Sequence, residues 1–92
     1  MKKTEFKKIV ADGIARDKQF LVVKIETEGN PAPEIIVNPY DNINAKIAYY
    51  DKAYSDNMEL IGRKGTPGDG KRIHITDALM TSNLNDLSWF IY

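Results

Sequence analysis

The chain has 92 residues, 13 of them Lys or Arg and 13 Asp or Glu, with one His and no Cys. This excludes a disulfide scaffold and a closed thiolate zinc site. A domain of this size, which buries roughly 60–70% of the surface of its unfolded form, needs neither. Balanced charge weighs against a module held on nucleic acid by phosphate contacts, and no run approaches the roughly 20 apolar residues that cross a bilayer.

Thr4 to Lys18 has a helical period. Phe6, Ile9, Val10, Gly13 and Ile14 fall on one stripe, with Lys7, Lys8, Asp12 and Arg16 elsewhere. Thr4 is the expected N-cap, and Glu5 follows in the first turn, where a negative charge suits the helix dipole. Gly13 costs about 1 kcal/mol of helix propensity relative to Ala, so its place on the apolar stripe predicts a close approach to the sheet.

Phe20 to Val37 reads FLVVKIETEGNPAPEIIV, two β-branched runs around a Gly-Asn-Pro centre, and predicts a β-hairpin with a long, stiff tip. In its first strand Leu21, Val23 and Ile25 oppose Phe20, Val22, Lys24 and Glu26. In its second, Ile35 and Val37 oppose Glu34 and Ile36. Asn38 and Pro39 then read as the cap and first residue of a second helix. Its stripe is Tyr40, Ile43, Ile47, Tyr50 and Tyr54, and Ser55, Asp56 and Asn57 end it. The tyrosines read as core rings rather than a recognition surface.

A second hairpin is expected from Met58–Arg63 and Lys71–Thr76, where Ile73 and Ile75 alternate with Arg72, His74 and Thr76. The tail from Asp77 should dock through a short helix, Leu87 to Ile91, capped by Asn85 or Asp86. Trp89 and Phe90 are costly to leave in water.

The predicted order is α-β-β-α-β-β-(α), a single small α+β domain over residues 1–92. Its core is a four-stranded, mainly antiparallel sheet of two β-hairpins with both main helices on one face. The other face would carry Val22, Lys24, Glu26, Ile36, Arg72, His74 and Thr76, open or covered by the tail or a partner. The expected location is cytoplasmic, with no membrane segment.

Catalytic parts are scarce. Gly65 to Lys71, GTPGDGK, has the spacing of a phosphate-cradling loop up to its lysine, but Arg72 stands where Ser or Thr would hold magnesium and a strand follows. No Cys and no nucleophile elbow exist. The acid pairs Glu26–Glu28 and Asp51–Glu59 are no more than any acidic chain offers. His74 lies near Thr76 and Asp77, without a spacing that demands a metal. No enzyme activity, cofactor or metal is expected.

Three functional readings remain. The first is a non-catalytic protein-binding or accessory module of the bacterial or phage type, inhibitors of host systems included by analogy of size alone. It would use the tip residues Asn30, Pro31 and Pro33 and the aromatic tail residues Trp89, Phe90 and Tyr92. The second is a nucleic-acid or phosphate binder. Residues 1–18 carry six Lys or Arg against three acids, and Arg63, Lys64, Lys71 and Arg72 crowd one loop. The third is a self-associating structural protein, a homo-oligomer joined through an edge strand or the tail.

Overall fold

The computed structural model describes residues 1–61, 64–65 and 69–91. Its elements are α1 (Lys3–Ala15), β1 (Phe20–Thr27), β2 (Glu34–Pro39), α2 (Ile43–Ala53), β3 (Glu59–Ile61), β4 (Arg72–Thr81) and α3 (Leu87–Phe90), with 3₁₀ turns at Tyr40–Asn42 and Leu84–Asp86. All strand pairs are antiparallel and the order across the sheet is β2-β1-β4-β3. Two hairpins are thus joined at the centre by β1 and β4, the α+β architecture expected from the sequence.

Helix α1 starts earlier than Thr4. Lys2 occupies the cap position without a side-chain bond, because tertiary contacts satisfy the first turn instead. The Lys3 amide donates to Asp56 O (2.8 Å), and its ammonium donates to Asp51 O (2.6 Å) and to Tyr54 O. The helix stops at Ala15, short of Lys18, in a Schellman turn. Asp17 takes φ +56°, its amide donates to Ile14 O, and the Lys18 amide donates to Gly13 O. Gly13 meets β4 as expected: a Cβ there would lie 2.2 Å from Met80 Cβ.

The Asn38–Pro39 cap is corrected. The strand β2 runs through both residues, and the second helix begins only at Ile43, after the 3₁₀ turn. Asn38 is buried, and its amide group donates to Leu21 O (3.2 Å) and Tyr50 Oη (3.3 Å), partners that a helix cap would forgo. Tyr40 consequently leaves the apolar stripe and is exposed.

β4 is longer than Lys71–Thr76 because alternation breaks inside it. Ile25 pairs with Ile75 and Lys24 with Asp77, so Thr76 is an extra residue in a β-bulge. Its hydroxyl donates to Lys24 O (3.4 Å). Past the bulge, Ala78 and Met80 return to the helix side and pair with Val23 and Leu21. What the alternation marks as tail is therefore half of a central strand.

Both main helices cover one face. Phe6 and Val10 of α1 and Ile43 and Tyr50 of α2 join Leu21, Val23, Ile25, Ile75, Ala78 and Met80 in one buried cluster. Burying each such side chain contributes roughly 1.5–3 kcal/mol, which fixes the strand register. Ile36 belongs here too, opposite Val23 and packed against the cluster, not on the open face. Lys7 and Asp51 tie the helices together at their surface (2.9 Å), and that ammonium holds the Asp51 carboxyl below its ordinary range.

Among the described residues, Val22 and Phe90 are the buried apolar side chains outside this cluster. Thr81, paired with Phe20 on the face of Val22, donates its hydroxyl to Asp86 (2.6 Å) and so draws the tail back over that face. Asp86 stands at the N-cap position of α3, as expected, but makes no side-chain cap bond; Asn83 caps the 3₁₀ turn before it, accepting from the Asn85 amide (3.0 Å). Phe90 is the buried apolar side chain of the described tail, with Leu87 half-buried; Trp89, expected to be sheltered, is 60% exposed, because a helix of one turn aims adjacent rings apart. No described helix is long and apolar enough to cross a membrane.

Candidate functional site

Two regions collect the residues singled out in the sequence. The first is the tip of the β1–β2 hairpin. Gly29 takes φ +83°, the Asn30 amide donates to Thr27 O (2.9 Å), and the Ala32 amide donates to Asn30 Oδ1 (3.1 Å). That Asx turn, followed by Pro31 and Pro33, fixes the tip by local bonds. All of Glu28 to Pro33 is exposed.

The tip and the basic residues are neighbours. The Glu28 amide donates to Arg72 O (2.8 Å), and Lys71 reaches to Gly29, where a Cβ would lie 3.6 Å from its Nζ. A cavity of about 430 Å³ on the helix side of the tip has Asn30, Glu34, Tyr49 and Lys71 among its polar lining, over Ile25 and Ile73. A second, of about 370 Å³ on the outer face, sets Glu26, Glu28 and Glu59 beside Arg72 and His74. The fold thus joins Asn30, Pro31 and Pro33 with Lys71 and Arg72 in one place. Lys64 is exposed in the β3–β4 loop, where Asp69 accepts from the Gly65 amide (3.2 Å). Arg63 lies outside the described residues.

The carboxylates change what this place can bind. Glu26, Glu28 and Glu59 line the same cavity as Arg72, which disfavours a phosphate ligand there. His74 stands between Glu26 and Glu59 across the ladder. Its Nε2 is buried and has no hydrogen-bond partner among the described residues. No group of three His, Asp or Glu side chains able to hold a metal occurs among the described residues. Asp51 lies on α2 with Lys7 as its ion-pair partner, and Glu59 lies on β3 opposite His74.

The second region is the tail. Trp89 stands edge-on to Phe90 (6.2 Å between centroids), and Leu84 and Ile91 are exposed beside it in the chain. Ser88 Oγ donates to Asn85 O (2.9 Å) and the Ile91 amide to Leu87 O (3.1 Å), so the segment is held by its own bonds. Neither tip cavity is lined by a tail residue. Tyr92 lies outside the described residues.

The tyrosine cluster behaves as core. Tyr50 and Tyr54 are buried and stack edge-on, 5.8 Å apart, with Tyr49 exposed at their side. Burial pushes the Tyr54 phenol up to about 12, with the neighbouring phenols and Glu34 adding to it. Burial raises Tyr50 as well, partly offset by the bond from Asn38. No sequence signal marks the Asn38–Tyr50 bond: an Asn between a β-branched run and Pro resembles a cap, and only the tertiary partner distinguishes the two.

No family model, curated protein or solved structure matches the chain.

Proposed function

We propose that the chain is a non-catalytic protein-binding module whose tail is the principal contact. One observation carries this reading: Trp89 is left 60% exposed on a helix that Phe90 anchors. Aromatic side chains dominate interface energetics, and an anchored one has little ordering left to lose on binding. The hairpin tip, held by its Asx turn and two prolines, is a second rigid contact at a different place. An accessory role, inhibition of a host system included, fits the size and the scarcity of catalytic parts. The carboxylates beside Arg72 favour this reading over a phosphate-binding one.

The test is a tagged pull-down from source lysate, in nuclease-treated and untreated halves, read by mass spectrometry. A partner that survives nuclease and is lost with Trp89→Ala is the expected result. Because Trp89 is the sole tryptophan, its emission should shift to the blue when the purified partner is added. Partners that vanish with nuclease, and with Lys71→Ala and Arg72→Ala, would replace this reading by nucleic-acid binding.

A further inference from the structure

The cavity on the helix side of the hairpin tip has a built interior. Its floor is apolar, formed by Ile25 of β1, Leu60 of β3 and Ile73 of β4. Tyr54 lines it as well and is only 5% exposed. Its neighbour Tyr50 receives a bond from Asn38, but the Tyr54 hydroxyl makes no hydrogen bond among the described residues. Glu34 and Tyr49, which line the same cavity, stand near enough to hold the Tyr54 proton more tightly, so the hydroxyl lies on the cavity side. A sheltered phenol without a protein partner forgoes a hydrogen bond that a ligand can supply.

Opposite charges stand at the rim. Glu34 and Lys71 both line the cavity, and among the described residues neither is in an ion pair. A ligand with one charge is attracted by one of them and repelled by the other. A ligand with both charges meets no such conflict. Glu34 and Lys71 are exposed and long, so they can close on neighbouring groups of one small molecule. The volume of about 430 Å³ falls in the range of small-molecule sites, roughly 300–1,000 Å³.

We propose that this cavity binds a free amino acid with an apolar side chain, held as its zwitterion. The side chain lies on Ile25, Leu60 and Ile73. The ammonium donates to Glu34 and to the Tyr54 hydroxyl, which stand together, and the carboxylate meets Lys71 at the tip. No tail residue lines this cavity, so the site stands or falls independently of the Trp89 contact.

The test is a chemical-shift titration of the ¹⁵N-labelled chain with L-phenylalanine, and with phenethylamine and 3-phenylpropionate, which carry one charge each. A ligand this small on an open site binds with a Kd on the order of 1 mM, within reach of the method. Phenylalanine should move the amides of Ile25, Glu34, Tyr54 and Ile73 and bind about fivefold more tightly than either analogue. Tyr54→Phe, which keeps the ring, should weaken it about fivefold. Lys71→Gln should turn the preference toward phenethylamine, and Glu34→Gln toward 3-phenylpropionate. No shift at these amides up to about 10 mM phenylalanine overturns the proposal. So does equal affinity for the three probes, an unchanged affinity in Tyr54→Phe, or an order of preference that survives both charge substitutions.

Discussion

The two faces of the sheet are covered in different ways. On the central strands β1 and β4 the helix side is apolar, from Met80 and Leu21 to Ile75 and Ile25, and two helices close it. The outer side is divided. Phe20, Val22, Val37 and Leu79 lie at one end, and Lys24, Glu26, Asp77, Arg72 and His74 lie toward the other. The tail folds over the apolar part and buries Phe90, while the charged part stays uncovered beside the hairpin tip. Coverage follows where apolar surface is continuous.

Paired substitutions separate the faces most sharply. Phe6→Ala, in the helix-side core, should lower stability by about 3–5 kcal/mol. Phe90→Ala should lower it less, about 1–3 kcal/mol, because the tail can open locally while the sheet persists. Chemical denaturation gives both values. Hydrogen exchange should show faster amides at 84–91 and unchanged protection in β1 for the second variant. Equal losses would mean that the two faces form one cooperative core.

Gly13→Ala sharpens the helix side further. The added Cβ meets Met80 Cβ, an atom fixed to the backbone, so overpacking should outweigh the helix-propensity gain of about 1 kcal/mol. A net loss of about 1–3 kcal/mol is expected, and a smaller one when Gly13→Ala is made in a Met80→Gly background, where no side chain stands against the added Cβ. If Gly13→Ala stabilises the protein, α1 does not lie as close to β4 as described.

The smallest effect is on pH dependence, and it also belongs to the helix side. Tyr54 has a folded value of about 12 against an ordinary 10.0, so the folded state holds its proton more tightly. The resulting stability is complete below pH 10.0 and is lost as pH rises toward about 12, with Tyr50 acting in the same direction. Denaturation midpoints at about pH 9 and about pH 11 should show the loss, and Tyr54→Phe should reduce it. An unchanged slope in Tyr54→Phe would remove Tyr54 as its source.

The order of elements along the chain, helix placement and the Gly13 contact are legible in the sequence because each rests on a local pattern with one good solution. Leu21, Val23 and Ile25 can share a face in only one way, and a glycine on an apolar stripe gives up helix propensity that only a close neighbour can return. Asn38 misleads because its local signal, an Asn before Pro, is shared by a helix cap and by a buried amide that needs Leu21 O and Tyr50 Oη. The second half of β4 is hidden because the bulge at Thr76 breaks the period of two. At the candidate site, the sequence separates Asn30, Pro31 and Pro33 from Lys71 and Arg72; the pairing of β1 with β4 brings them together. Trp89 and Phe90 look alike in sequence, and only the docking geometry divides them into a displayed ring and an anchor.

The bulge has a consequence for how the chain tolerates changes in length. Thr76 is the spare residue of β4, and without it Ile73, Ile75, Ala78 and Met80 would fall into unbroken alternation. Removing Thr76, or Asp77 with Thr76 taking its place opposite Lys24, leaves every core side chain on its own face, whereas removing Ile75 or Ala78 takes a core side chain away. Within β4, the Thr76–Asp77 bulge is therefore a place where a homologous chain can be one residue shorter and keep the same interior.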